Sequence, residues 1–123
     1  MPYRGLGDLT CTQMRNRAHK AFHEQKQFID KGHQAVPHLK MTEAMLWDIA
    51  ADLVDKGHGY IPSLPARRVA QNINELCDQL INTKNKGKKL DAEVAEGMTR
   101  CDVLLRQAQI VLDAAAKLCK GAG

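Results

Sequence analysis

Leu90-Asp-Ala-Glu-Val-Ala-Glu-Gly-Met-Thr-Arg-Cys-Asp-Val-Leu-Leu-Arg-Gln-Ala-Gln-Ile-Val-Leu-Asp-Ala-Ala-Ala-Lys-Leu-Cys119 repeats apolar residues in alternating steps of four and three. Val94, Met98, Cys101, Leu105, Ala108, Leu112, Ala115 and Cys119 fall on one seam of a helix. Leu90, Leu104, Val111 and Leu118 form a second column that widens the seam, with Gly97 as its gap. A helix with such a face must bury it, so this reading predicts that the remaining chain packs around the C-terminal third. A regular seam also suits pairing with a second copy, which makes a homo-oligomer through the C-terminal helix an expectation.

Working back towards the N-terminus, three further helices are expected. Thr10-Cys-Thr-Gln13 reads as a capping box, with Leu9 and Met14 at the flanking staple positions. Met14, Ala18, Ala21, Phe22, Gln25, Phe28 and Ile29 follow at helical spacing, and Lys31-Gly32 reads as a stop. The second helix is expected to open at Met41-Thr42, bury Met45, Leu46, Ile49, Ala50 and Leu53, and end at Lys56-Gly57. Ser63 or Leu64 caps the third, Pro65 sits in its first turn, and Val69, Ile73, Leu76, Cys77, Leu80 and Ile81 form its stripe. The expected helices therefore cover 11–31, 42–56, 64–82 and 91–119. No alternating run of β-branched residues suggests a strand. These elements predict one all-α domain over residues 1–123, an antiparallel up-and-down four-helix bundle with a long C-terminal helix.

One internal echo crosses these boundaries. Ile29–Leu39 and Val54–Leu64 share Asp-Lys-Gly-His, an aliphatic residue, Pro and Leu in register at an offset of 25 residues. The simplest reading is one helix-stop, turn and helix-start connection used twice. His33 and His58 would then be turn residues at opposite ends of the bundle rather than a paired site.

Composition limits the function classes. The chain has 123 residues, a net charge of +4 and no apolar run long enough for a membrane span. Its start, Met1-Pro-Tyr-Arg-Gly-Leu-Gly-Asp8, lacks the apolar core of a secretory signal, so a cytoplasmic protein with reduced thiols is expected. Cys101 and Cys119 lie about 27 Å apart along one helix, too far to pair with each other. His19 and His23 share a helix face but have no third ligand nearby and no His-Glu-x-x-His pattern, so no metal site is expected. Lys86-Gly87-Lys88 lacks the spacing of a phosphate loop, and none of the four cysteines sits in a recognisable nucleophile motif. Neither catalysis nor a cofactor is expected.

The positive charge is unevenly placed. Residues 1–36 carry six basic and three acidic side chains, and residues 63–90 carry six and two. The central segment, 37–62, reverses the balance with two and four. Arg67, Arg68, Lys84, Lys86, Lys88 and Lys89 are the candidate contacts to a nucleic-acid backbone, because lysine and arginine clusters read phosphates without reading sequence. Aromatic residues are too few for base stacking to dominate. Trp47 and Tyr60 are the candidate anchors of a protein interface.

Ala66-Arg-Arg-Val-Ala-Gln-Asn-Ile-Asn-Glu-Leu-Cys-Asp-Gln-Leu-Ile-Asn82, a basic gap and Leu90-Asp-Ala-Glu-Val94 together resemble the C-terminal part of MobC-type plasmid mobilisation accessory proteins. Arg68, Asn72, Asn74, Leu76 and Asn82 carry the resemblance, and Glu75 departs from it where glutamine is usual. The resemblance implies work on nucleic acid. The expected function is a non-enzymatic accessory protein that binds a nucleic-acid backbone or nucleoprotein complex through a basic surface. The alternative is a protein-binding regulator or inhibitor, of phage or mobile-element type, that blocks a host complex.

Overall fold

The computed structural model describes residues 9–30, 35–58, 60–85 and 91–121; the side chains of Asp30, Ala35, Tyr60 and residues 82–85, 91–98 and 119–121 fall outside that description. Four helices account for it: α1 (Cys11–Asp30), α2 (Ala35–Asp55), α3 (Tyr60–Asn85) and α4 (Asp91–Gly121). They form the expected all-α four-helix bundle, with no strand among the described residues. No helix among them is long and apolar enough to cross a membrane.

The helix ends follow local chemistry. Thr10 Oγ1 accepts from the Gln13 backbone N–H at 3.1 Å, and Gln13 Oε1 accepts from the Thr10 N–H at 2.9 Å. That is the reciprocal box expected for α1, and it satisfies donors the helix leaves free. Met14 is fully buried beside it. At the end of α2, Gly57 takes φ +86°. Its N–H donates to Val54 O at 3.1 Å, and the His58 N–H donates to Leu53 O at 2.9 Å. This pair of bonds closes the last turn in a Schellman motif.

Two helices begin earlier than the sequence suggested. α2 starts at Ala35 rather than near Thr42, and α3 at Tyr60 rather than near Leu64. The prolines explain the difference. Pro37 and Pro62 each occupy the third residue of their helix, where a backbone N–H has no intrahelical partner to lose. Only Pro65, deeper in α3, removes a helical bond. Thr42 is not a cap: its Oγ1 donates to the His38 carbonyl one turn back, at 3.0 Å. Ser63 is likewise interior to its helix and fully buried. The 25-residue echo now has a structural meaning. α1 ends at Asp30 and α2 begins at Ala35; α2 ends at Asp55 and α3 begins at Tyr60, so both boundaries repeat in register. His33 lies outside the described residues.

The expectation that the C-terminal helix organises the bundle is corrected. Among the described residues, α2 packs against α1, α3 and α4, whereas the backbone of α1 comes close to α2 alone and that of α4 to α2 and α3. α2 buries Val36, Leu39, Leu46, Trp47, Ala50, Ala51 and Leu53, an arc too wide for a single apolar stripe. The alanines at 44, 50 and 51 let neighbouring helices approach closely. α1 contributes Met14, Ala18 and Ala21; α3 contributes Ala66, Val69, Ala70, Ile73, Leu76 and Cys77. α4 adds Cys101, Leu104 and Ala108 to this core. Its predicted seam is only partly inward, because Leu105 and Leu112 are half-buried. Met98 belongs to the part of α4 whose side chains are not described.

Candidate functional site

α1 and α3 lie on the same flank of α2, and a cleft of about 260 Å³ opens between them. Arg17, Lys20, Ala21 and Glu24 line it from α1, Glu43 and Trp47 from α2, Gln71 and Asn74 from α3. The cleft exists because the three helices meet there through polar side chains rather than through a closed apolar seam.

Its floor is a buried ionic knot. Lys40, 2% exposed, places Nζ 3.1 Å from Glu24 Oε1 and 3.1 Å from Glu43 Oε1, and donates to Asn74 Oδ1 at 2.8 Å. One ammonium therefore ties together α1, α2 and α3 with all three of its protons. Glu43, 5% exposed, also accepts from Trp47 Nε1 at 2.9 Å. Burial alone would lower the Lys40 pKa, but the carboxylates of Glu43 and Glu24 outweigh it and hold the amine charged. Burial pushes the Glu43 carboxyl up, and Lys40 and the Trp47 N–H only partly offset that. Cys77 lies close enough to feel both charges; burial drives its thiol up to about 12, so it is a neutral filler at physiological pH.

The mouth of the cleft is basic. The Arg17 guanidinium lies over the Trp47 ring, 5.0 Å from its centroid, and Nη1 donates to Gln71 Oε1 at 3.5 Å. Lys20 is exposed one turn further along α1. Arg68 is exposed on α3, three residues before Gln71 and so on the neighbouring turn of the same face. On the other side of α1, Arg15 is committed to structure. It meets Asp52 at 2.9 Å, Asp55 at 2.6 Å and, more loosely, Asp48 at 3.9 Å. The acidic row of α2 is thus laced to α1, although exposed pairs of this kind contribute little.

The sequence-predicted site residues separate into three groups. Arg68 is exposed as a phosphate contact requires. Arg67 is a correction: it is fully buried, because α3 packs against both α2 and α4 and buries a wide arc that includes Ser63, Ala66, Arg67 and Ala70. Trp47 is a second correction: at 1% exposure it is a core residue whose N–H is already satisfied, not an exposed anchor. The side chains of Tyr60 and Lys84, and residues Lys86, Lys88 and Lys89, lie outside the described residues. Arg17 and Lys20 line the cleft without being among the candidate contacts read from the sequence. Their excess charge was visible in the N-terminal segment, but their partner groove on α3 is more than fifty residues away in sequence.

His19 and His23 are exposed on α1, and His23 Nε2 lies 3.4 Å from Gln27 Nε2. Among the described residues, no group of three or more His, Cys, Asp or Glu side chains is placed to hold a metal ion. Cys11, Cys77 and Cys101 are free thiols. Comparison with protein-family models, with curated proteins and with solved structures gave no match.

Proposed function

We propose that this chain is a cytoplasmic, non-enzymatic binding module for a nucleic-acid backbone or a nucleoprotein complex. The observation that carries the reading is the pair of exposed cations Arg17 and Lys20 lining the α1–α3 cleft, with Arg68 exposed three residues before the cleft's Gln71 on α3. Exposed cations beside a groove that carries the amides of Gln71 and Asn74 suit a chain of phosphates, and the planar guanidinium of Arg17 suits phosphate geometry in particular. Lys84, Lys86, Lys88 and Lys89 remain candidate contacts by sequence, and their side chains lie outside the described residues. Arg67, fully buried, is not one of them. The resemblance of residues 66–94 to MobC-type accessory proteins points the same way. A second reading, a regulator that binds another protein, is favoured by the exposed apolar residues Val103, Ile110 and Leu118 on α4.

The test is retention of a duplex and of a single strand at two salt concentrations. Binding should weaken steeply with salt and show little sequence preference. Arg17→Gln/Lys20→Gln/Arg68→Gln should weaken it across all sequences and flatten the plot of log K against log salt by about 2–3. A thermal melt checks the fold, since Arg17→Gln also removes a ring contact worth about 0.5–1 kcal/mol. No retention of any nucleic acid at low salt, or a triple variant that binds as well as the parent, would contradict the assignment.

A further inference from the structure

We propose that the outer stripe of α4 docks antiparallel on the same stripe of a second copy of this chain. Val103, Gln107, Ile110, Ala114 and Leu118 are all exposed, and they recur in steps of four, three, four and four. Val103 is 48% exposed, Ile110 70% and Leu118 43%. This stripe is distinct from the face that packs on α2 and α3, where Cys101, Leu104, Ala108 and Ala115 are buried. α4 is therefore apolar on two adjacent faces, and the bundle uses one. Ile110, 70% exposed between Val103 and Leu118, makes the stripe an apolar line rather than a scatter of single residues.

The charges beside the stripe say what covers it. Arg106 and Asp113 lie seven residues apart, two turns along the same edge, with Ile110 between them. Asp113 accepts from Gln109 Nε2 at 2.9 Å through Oδ1, which leaves Oδ2 available. In an antiparallel pairing that sets Val103 against Ala114 of the second copy, Ile110 meets Gln107. The same register brings Arg106 to within two residues of the level of the second copy's Asp113, on the flank of the contact, and by symmetry Asp113 to its Arg106. Both pairs are then opposite in sign. A parallel pairing sets the same two charges against Val111 and Leu118, where they find no partner. A self-complementary edge of this kind is what a two-fold interface requires. Arg100, held by Gln79 at 2.6 Å, and Lys117 fall at the ends of the contact, where long side chains reach water. The apolar contact is short, so the dimer belongs to the weak, reversible class.

Sedimentation equilibrium of the full chain over a wide concentration range reads the outcome. The parent should pass from monomer to dimer in the micromolar range. Ile110→Glu, a change at an exposed position, should weaken association at least about thirtyfold while leaving the thermal melt in place. Arg106→Glu and Asp113→Arg should each weaken it about tenfold, because two attractions become two repulsions. Mixing those two variants should restore association, since every edge pair in the mixed dimer is again opposite in sign. A monomer at all concentrations, a dimer indifferent to Ile110→Glu, or a mixture no tighter than either charge variant alone would overturn the proposal. None of these results depends on nucleic acid, so the proposal stands or falls apart from the binding function.

Discussion

Lys40→Met lowers the free energy of unfolding by about 3–5 kcal/mol at neutral pH, as read by urea denaturation followed by circular dichroism. The side chains are similar in length, so packing changes little. What changes is the charge balance: Glu43, 5% exposed, is left ionised in the interior with only the Trp47 N–H to satisfy it. Asn74 and Glu24 lose their link to α2 in the same step. The intact knot need not be strongly stabilising in itself, because desolvating both charges offsets most of their attraction. Removing one partner exposes the full desolvation cost. Lys40→Met/Glu43→Gln should therefore recover most of the loss, since no buried charge remains and glutamine still accepts from the indole. The single variant also has a pH signature. Burial raises the folded-state pKa of Glu43 above its unfolded value, so folding favours the protonated acid. The deficit relative to the parent should be small below the ordinary carboxylate range and should grow as pH rises through the raised value.

Trp47→Ala has an effect of the same size, about 3–5 kcal/mol. The ring is 1% exposed and belongs to the cluster formed by α1, α2 and α3. Its loss opens a cavity, removes the surface beneath Arg17 and takes the N–H from Glu43 Oε2. Trp47→Phe separates these contributions. It keeps most of the packing and removes only the donor, so it should cost about 1–3 kcal/mol. An alanine variant within 1 kcal/mol of the parent would show that the indole is not part of the core. Because the tryptophan is the chain's only one, its fluorescence reports on this site alone in the parent protein.

How far the sequence reveals this architecture depends on the range of the signal. The number of helices, the α1 cap at Thr10 and Gln13 and the glycine stop at Gly57 are all local. Each depends on groups within one turn, and each is legible. The 25-residue echo is also local chemistry, repeated. The helix starts at Ala35 and Tyr60 are harder to read, because proline marks a turn or a first helical turn equally well. The burial of Arg67 beside an exposed Arg68 is harder still to read, because it depends on α3 packing against two neighbours at once. The central place of α2 is not legible from periodicity. Lys40, Glu43 and Trp47 look like surface positions because charged residues are rarely buried unless paired. Their partners, Glu24 and Asn74, lie 16 and 34 residues away. The longest regular apolar seam belongs to α4, whereas burial places the hub in the shorter α2. The alanine pair Ala50-Ala51 is the one cue within α2 that hints at close approach on two sides.

The α1–α3 groove shows the same division. Its cations are visible as a composition bias in the first segment, but their assembly with Gln71 and Arg68 is a property of the packed bundle. The outer stripe of α4 lies between these cases. Only Leu118 of its residues belonged to the apolar columns read from the sequence; Val103 and Ile110 fell outside them, and the packed bundle shows that they line up with it on one outward stripe.

The account rests on α2 being the element around which the others are fixed. Native-state hydrogen exchange resolved by residue tests it most directly. The amides of Leu46 to Leu53 should exchange only through global unfolding, with the largest protection in the chain. The amides of α4 beyond Val111 should exchange faster, through local opening. If α4 instead carries the slowest amides while those of α2 open below the global limit, the C-terminal helix is the organiser and the hub assigned here is wrong.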